Sequence, residues 1–289
     1  MAEAADRPLH KRPLIAGAIR WLGYAVFAIG LVYIGLALAR LETGSVVGRL
    51  GATGWTLGAA SAVIYAGLLV LLARAWAGCA SGQTGFSWPA VLRVYGPGVI
   101  AKYIPGSVFQ YASRQVLGAR KGWSQSSIVR ASLLEALIHV PSALTVAAAF
   151  MLFEGIHGVA IIAAAGALVA KFSRSGVAQA IGWQLCFFSG FGTLAYVLAA
   201  YALGLPNPAT IAALFMIAWI AGFLVPVAPG GLGIRESVLL VLAAPFAPSA
   251  AIAVFAILTR LVTIAGDALC GLAAYYFSAG WRSNRQASA

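Results

Sequence analysis

An uncharged run of 60 residues, from Ser175 to Ile234, constrains this chain more than any other feature of its sequence. A helix that crosses a bilayer needs about 20 predominantly apolar residues. A run of this length therefore holds two or three membrane-embedded elements. It excludes a water-soluble domain of this size. The sequence predicts an all-α polytopic membrane protein.

The run ends in a motif that breaks a helix, Pro229-Gly-Gly-Leu-Gly-Ile-Arg-Glu236. Broken backbone is tolerated at membrane depth only where protein or a polar cavity surrounds it. A second interruption, Lys102-Tyr-Ile-Pro-Gly106, lies in a region (88–122) that is too broken for a spanning helix and too apolar for an aqueous loop. We predict helix breaks at Pro229 and at Pro105 and Gly106, and we look for function beside them.

The overall composition agrees with a membrane protein. Hydrophobic residues make up 62% of the chain and charged residues 9%, and the mean hydropathy is +0.92. The net charge of +12 would suggest a nucleic-acid partner in a soluble protein. Here we interpret it as the Lys and Arg excess of cytoplasmic loops, and we expect no nucleic acid.

The chain divides into apolar segments that form an internal repeat. The segments with little or no charge are Trp21–Ala39, Leu50–Ala73, Ser124–Phe150, Gly155–Ala170, Val177–Gly204, Asn207–Ala228 and Ser249–Phe277. Glu135 follows Pro105 by 30 residues, and Arg260 follows Pro229 by 31 residues. Each half then contains two spanning helices, a re-entrant hairpin and a third spanning helix. We place repeat 1 at about 21–150 and repeat 2 at about 155–280 of one transmembrane domain, with tails at 1–20 and 281–289.

Charge placement predicts the orientation of this layout. Three crossings per half invert the second repeat relative to the first, as in many secondary transporters. With a cytoplasmic N-terminus, the outside loops hold Arg40 and Arg49, and the inside segments hold Arg7, Lys11, Arg12, Arg20, Arg74, Arg93, Arg120, Lys121, Lys171, Arg174, Arg282 and Arg285. Six crossings plus two hairpins therefore satisfy the positive-inside rule and place both termini in the cytoplasm. Eight full crossings would give the same termini.

Seven ionisable residues lie within apolar or broken segments: Lys102, Arg114, Glu135, Arg235, Glu236, Arg260 and Asp267. Each charge at the centre of a spanning helix costs about 2.5–3.5 kcal/mol on insertion scales, so such residues are rarely incidental. The repeat relates Glu135 to Arg260, and we predict an ion pair between these two side chains. The alternative is that the charges only hold helices together.

Arg114 and Arg235 fit that alternative poorly because each follows a helix break. Free backbone N–H groups and a guanidinium at such a place favour an anionic group. Gly230, Gly231 and Gly233 would let the backbone approach that group closely.

The two break motifs, the Glu135 helix and the Arg260…Asp267 helix resemble the transmembrane region of lysylphosphatidylglycerol synthases, which also occurs as stand-alone, flippase-like proteins. The resemblance spans roughly residues 15–280. It implies a bacterial cytoplasmic (inner) membrane protein that moves a lipid between leaflets, since full-length members are thought to move their aminoacylated lipid. The domain that attaches the amino acid is not among these residues, so we expect no enzyme. Stand-alone relatives are linked to hopanoids, polyprenyl-linked sugars and glycolipids, which leaves the lipid open.

This interpretation assigns a role to each embedded residue. A groove formed by the two hairpins would bind the anionic headgroup phosphate of a membrane lipid at Lys102, Arg114, Arg235 and Arg260, while the acyl chains stay in the bilayer. The lipid would be an anionic phospholipid, a polyprenyl-linked lipid or a glycolipid. The carboxylates would neutralise those cations between cycles and carry a coupling proton: Glu135, Glu236 and Asp267. We expect no cofactor and no metal site. The chain carries no ATP-binding motif, so an ion or lipid gradient would drive transport, and an oligomer is compatible with the sequence.

Two other functions fit parts of the sequence. A small-solute secondary transporter shares the inverted repeat, but its central site would be closed toward the lipid. A membrane glycosyltransferase with a polyprenyl donor usually needs a carboxylate in an early external loop. Only Glu42 qualifies for that role, and there is no Asp-x-Asp motif.

Overall fold

The computed structural model of the chain describes residues 48, 50–80, 87–103, 109–225 and 228–286, and every regular element within them is helical. The all-α prediction is therefore confirmed for this part of the chain. Three predicted features lie outside the described residues: the tail 1–20, the first spanning helix Trp21–Ala39, and the break at Pro105 and Gly106.

Nine α-helices run through the described residues. They are α1 (Gly51–Cys79), α2 (Trp88–Ala101), α3 (Phe109–Ala119), α4 (Gln125–Phe153), α5 (Ile156–Phe172), α6 (Gly176–Val197), α7 (Pro208–Leu224), α8 (Ile234–Ala243) and α9 (Ser249–Gln286). A π-helical turn, Leu198–Ala202, extends α6, and a 3₁₀ turn, Pro229–Gly231, precedes α8.

Four helices in the described part of the chain are long and apolar enough to cross a membrane: Gly51–Cys79, Gln125–Phe153, Gly176–Ala202 and Ser249–Ala274. They confirm a multi-pass membrane protein. Large apolar side chains project outward from the bundle, among them Leu137 and Leu152, which are 71% and 78% exposed. In a bilayer such side chains contact lipid rather than water.

Two of these helices continue past the segments predicted from hydropathy. Helix α1 passes Arg74, whose guanidinium lies over the rings of Trp88 and Trp183 at 4.6 and 5.3 Å. These cation–π contacts stabilise the charge at the end of the helix, so hydropathy falls there while the helix does not end. Helix α9 likewise continues to Gln286, beyond the predicted end at Phe277.

Short helices flank both interruptions. Helix α2 has 14 residues, α3 has 11 and α8 has 10. At 1.5 Å per residue, α2 is about 21 Å long and α8 about 15 Å, whereas a hydrocarbon core is about 30 Å thick. Helix α2 packs on α3, and α7 packs on α8. We call these pairs the first hairpin (α2 and α3) and the second hairpin (α7 and α8).

Each hairpin packs across the molecule as well as on its neighbour in sequence. Helix α2 packs on α9, and α7 packs on α4. The second helix of each hairpin packs on the helix that follows it, α3 on α4 and α8 on α9. Helices α1 and α6 contact each other extensively, and their fully buried rings include Tyr65, Trp76, Phe187 and Phe188. This packing brings the junction between the two helices of each hairpin toward one interior region.

Candidate functional site

A cavity of about 100 Å³ lies where the two hairpins approach α1 and α4. Six of the predicted site residues line it together: Lys102, Arg114, Glu135, Gly230, Gly231 and Arg235. Aromatic side chains complete much of the wall, including Tyr65, Tyr95, Tyr111, Trp219 and Phe223. The fold thus gathers residues from both sequence halves around one interior space.

The second break touches the end of α2 beside this cavity. The backbone N–H of Gly230 donates a hydrogen bond to the backbone oxygen of Lys102, at 3.0 Å. A side chain at position 230 would meet the ring of Tyr103 at 3.2 Å, and Gly230 has a φ of +56°, which favours glycine. The second break therefore has the close backbone approach that the glycines predicted, but its partners are Lys102 and Tyr103 at the end of α2.

Glu135 is paired with an arginine from the first hairpin. Its Oε2 lies 2.5 Å from Nη1 of Arg114, and the hydroxyl of Tyr95 donates to Oε1 at 2.7 Å. Arg114 and Glu135 are only 4% and 6% exposed. Gln184 of α6 donates to the backbone oxygen of Glu135 at 2.8 Å. The predicted ion pair between Glu135 and Arg260 is therefore wrong.

Arg260 instead contacts residues of its own half. Its Nη1 donates to the backbone oxygen of Gly230 at 2.9 Å and lies 3.8 Å from Oε1 of Glu236. The prediction failed because α3 packs on α4 and α8 on α9, so Glu135 and Arg260 each meet the hairpin beside them in sequence. In the first half the arginine, Arg114, lies on the hairpin and its carboxylate lies on the following helix. In the second half the arginine, Arg260, lies on the following helix and its carboxylate lies on the hairpin.

Asp267 is the most deeply buried carboxylate described, at 1% exposure. Lys102 at the end of α2 places Nζ 2.7 Å from its Oδ2, and the Tyr103 hydroxyl donates to the same oxygen at 2.5 Å. The hydroxyl of Tyr65, on α1, donates to Oδ1 at 3.4 Å. This carboxylate links the first break to α1 and α9.

Arg235 differs from the other three embedded cations. Within the described residues, ion pairs join Lys102, Arg114 and Arg260 to one carboxylate each, and none joins Arg235. Its guanidinium carbon lies 3.5 Å from the ring centroid of Trp219. Its Nε is buried without a hydrogen-bond partner, as are Nε of Arg114 and both Nε and Nη2 of Arg260. Arg235 lines the cavity with this uncompensated charge.

Two glycines make room for the Arg235 side chain. A Cβ at Gly222 would overlap Cγ of Arg235, and one at Gly231 would lie 2.6 Å from its Nε. The sequence motifs do not point to Gly222 or Trp219. Their spacing could have indicated a shared role, because residues three apart lie on one face of a helix. The helix that carries them, α7, ends just before the second break.

The backbone donors of the second break are not free, contrary to expectation. The N–H of Gly230 is bonded to Lys102, and that of Gly231 donates to the oxygen of Ala228 at 2.9 Å. Gly233 is buried, and its N–H donates to Oε2 of Glu236 at 2.8 Å. Because the N–H groups of these three glycines are occupied, we place the capacity to bind an anion here in the Arg235 side chain.

The tyrosines that donate hydrogen bonds to the buried carboxylates were also not predicted from the sequence. Tyr65, Tyr95 and Tyr103 each direct a hydroxyl at an embedded acid. Buried carboxylates need such donors as well as a cation, because an ion pair leaves lone pairs unsatisfied. Tyrosine is common in membrane proteins, so composition alone carried no signal for this role.

Comparisons of the chain with protein-family models, with curated proteins and with solved structures each found no match. The fold and the site therefore define the class by themselves. This is a helical, multi-pass membrane protein with a charged interior cavity at the contact of two broken hairpins.

Proposed function

We propose that the protein is a lipid translocator, not an enzyme, that binds an anionic headgroup at Arg235 while the acyl chains stay in the bilayer. The observation that carries the proposal is the guanidinium of Arg235, which lines an interior cavity and has no carboxylate partner in the described part of the chain. An unpaired charge away from water is costly, so an anion that enters the cavity is stabilised there. Arginine also suits phosphate, which it binds with two parallel N–H donors.

The packing of the helices supports two inverted repeats. Exchanging the two hairpins, and α4 with α9, reproduces the observed contacts: α2 packs on α9 as α7 does on α4. The hairpin helices are also short for full crossings, which favours re-entrant hairpins in the bacterial cytoplasmic membrane. Such an arrangement lets two equivalent gates act alternately on one site. The resemblance to the lysylphosphatidylglycerol synthase transmembrane region implies movement of a lipid between leaflets and leaves the headgroup open.

Replacement of Arg235 tests the proposal. In proteoliposomes with a fluorescent phosphatidylglycerol, Arg235→Ala is expected to lower the initial translocation rate by about tenfold or more. The reason is that hydrogen bonds to charged groups contribute about 1.5–3 kcal/mol each. Arg235→Lys keeps the charge but loses the planar fork, so it should fold and still lose most of the rate. The rate is measured from the fraction of fluorescent lipid that a membrane-impermeant reductant can bleach, which falls as lipid leaves the outer leaflet.

Arg130→Ala is the matched control because Arg130 is an exposed arginine on α4. It should leave the rate unchanged. If Arg235→Ala folds and moves the lipid as fast as the unaltered protein, Arg235 only anchors α8 to Trp219 and the proposal fails. Uptake of free glycerol phosphate without movement of the lipid would indicate the small-solute transporter instead.

The orientation is testable by cysteine labelling of intact cells. The labelling of each variant is compared with that of the unaltered chain, which contains three cysteines. With six crossings, two re-entrant hairpins and cytoplasmic termini, Glu154→Cys between α4 and α5 should react with an impermeant maleimide from outside. Ser173→Cys between α5 and α6 should react only after permeabilisation. Eight full crossings would turn each hairpin into one crossing and reverse both results.

A further inference from the structure

We infer that the cavity selects a headgroup with a single net negative charge, that is, a lipid phosphodiester that carries no amine. Phosphomonoesters, neutral zwitterionic headgroups and cationic aminoacylated headgroups would be disfavoured. The inference rests on the proposed function and goes beyond it, because the proposed function requires only that the headgroup be anionic. It follows from the number of charges around the cavity and from which of them are already engaged.

The embedded groups carry one positive charge in excess. Four cations and three carboxylates leave 4 − 3 = +1, and the three ion pairs leave Arg235 as the excess charge. The segments 104–108 and 226–227, beside the two breaks, contain no ionisable residue. His139 also lines the cavity, but its ring packs against Phe188 and Phe223 at 4.6 Å and has no carboxylate partner, so we count it as neutral.

Each paired cation already has one carboxylate beside it. Glu135 is paired with Arg114 and also accepts a hydrogen bond from the Tyr95 hydroxyl. Asp267 is paired with Lys102 and accepts hydrogen bonds from two tyrosine hydroxyls. Glu236 is fixed beside Arg260 by the N–H of Gly233. Nε and Nη2 of Arg260 also have no hydrogen-bond partner, but Glu236 balances the charge of Arg260. Among the embedded cations that the structure describes, Arg235 is therefore the one whose charge no carboxylate balances.

Charge balance then decides which headgroup is stable in the cavity. A phosphodiester brings one negative charge and makes the site neutral. A phosphomonoester carries about two negative charges above pH 7, so it would leave one uncompensated. A zwitterionic headgroup would leave the site at +1, and a headgroup esterified with a basic amino acid would raise it further. Net charge away from water is penalised in each of these cases.

A lipid series with identical acyl chains tests the inference on the unaltered protein. Fluorescent phosphatidylglycerol, phosphatidic acid, phosphatidylcholine and lysylphosphatidylglycerol are compared at pH 8 in vesicles of zwitterionic lipid, both for initial translocation rate and for binding to the purified protein. We expect phosphatidylglycerol to exceed each of the other three by about tenfold or more in rate. Phosphatidic acid has the smaller headgroup, so its exclusion would reflect charge and not size.

Glu236→Gln supplies a second arm, because it raises the charge excess to +2 while the amide oxygen still accepts from Gly233. The ratio of phosphatidic acid to phosphatidylglycerol should then rise by about tenfold. Glu154→Gln removes an exposed carboxylate outside the cavity and should leave the ratio unchanged.

Each outcome bears on a distinct claim. Phosphatidic acid, phosphatidylcholine or lysylphosphatidylglycerol moving as fast as phosphatidylglycerol would overturn the single-charge inference and leave the lipid translocator standing. If none of the four lipids is bound or moved above protein-free vesicles, the proposed function fails and this inference fails with it. The unaltered protein alone decides between these results, so a Glu236→Gln chain that does not fold does not affect the test.

Discussion

Glu135→Gln is expected to destabilise the protein by about 3–5 kcal/mol, because it leaves the Arg114 guanidinium buried without a carboxylate. The two side chains are 2.5 Å apart and almost inaccessible. Tyr95 would also lose its charged acceptor. The free energy of unfolding in detergent, followed by the loss of helical circular dichroism under denaturant, measures the effect.

A double-mutant cycle identifies the partner of Glu135. Glu135→Gln combined with Arg114→Met should cost less than the sum of the single changes, because contacting residues are coupled. The same cycle with Arg260→Gln should be additive, since Arg260 contacts Gly230 and Glu236 instead. Glu154→Gln at the exposed end of α4 should change stability by less than about 0.5 kcal/mol. Additivity with Arg114 together with coupling to Arg260 would restore the pairing predicted from the repeat.

Asp267→Asn is expected to have an effect of similar size, about 3–5 kcal/mol, because Lys102 loses its only carboxylate partner among the described residues. Asp267 holds the end of the first hairpin against α9 and α1, so its loss should loosen the contact between the two breaks as well. Hydrogen–deuterium exchange of the segments around Lys102 and Gly230 should increase. The denaturation titration used for Glu135 gives the free energy.

The companion variants separate the charge from the hydrogen bonds. Tyr103→Phe removes one donor from Asp267 and leaves the ion pair, so it should cost about 1.5–3 kcal/mol. Lys102→Met combined with Asp267→Asn should be milder than the sum of the single changes. An Asp267→Asn protein that unfolds at the same denaturant concentration as the unaltered chain would show that this ion pair does not contribute to stability.

Local sequence was sufficient to predict the helices because hydrocarbon leaves the backbone few alternatives. A chain in a bilayer must satisfy its own N–H and C=O groups, so an apolar segment without breaks becomes a helix. The predicted segment Ser124–Phe150 corresponds to Gln125–Phe153, and the motif at Pro229 does interrupt the helices. The ends were less predictable, since side-chain contacts such as those of Arg74 extend a helix past the apolar segment.

The partners of the embedded charges could not be predicted in the same way. Spacing showed that Glu135 and Arg260 occupy comparable places, but it carries no information about how each helix is rotated or which hairpin packs beside it. The glycine at position 222 illustrates the same limit. Its missing side chain matters only because Arg235, from a different helix, passes across that point.

The sequence by itself determined that this is a helical membrane protein with four embedded cations and three embedded carboxylates. Both conclusions depend only on residue type and position along the chain, because burial in a membrane penalises charge wherever it occurs. Only the tertiary structure decided which cation is in excess. The packing of α3 on α4, of α8 on α9 and of α2 on α9 assigns each carboxylate to Arg114, Arg260 or Lys102. Arg235 is left facing the cavity on the ring of Trp219, because ion pairing requires contact at a few ångströms that spacing along a chain does not specify.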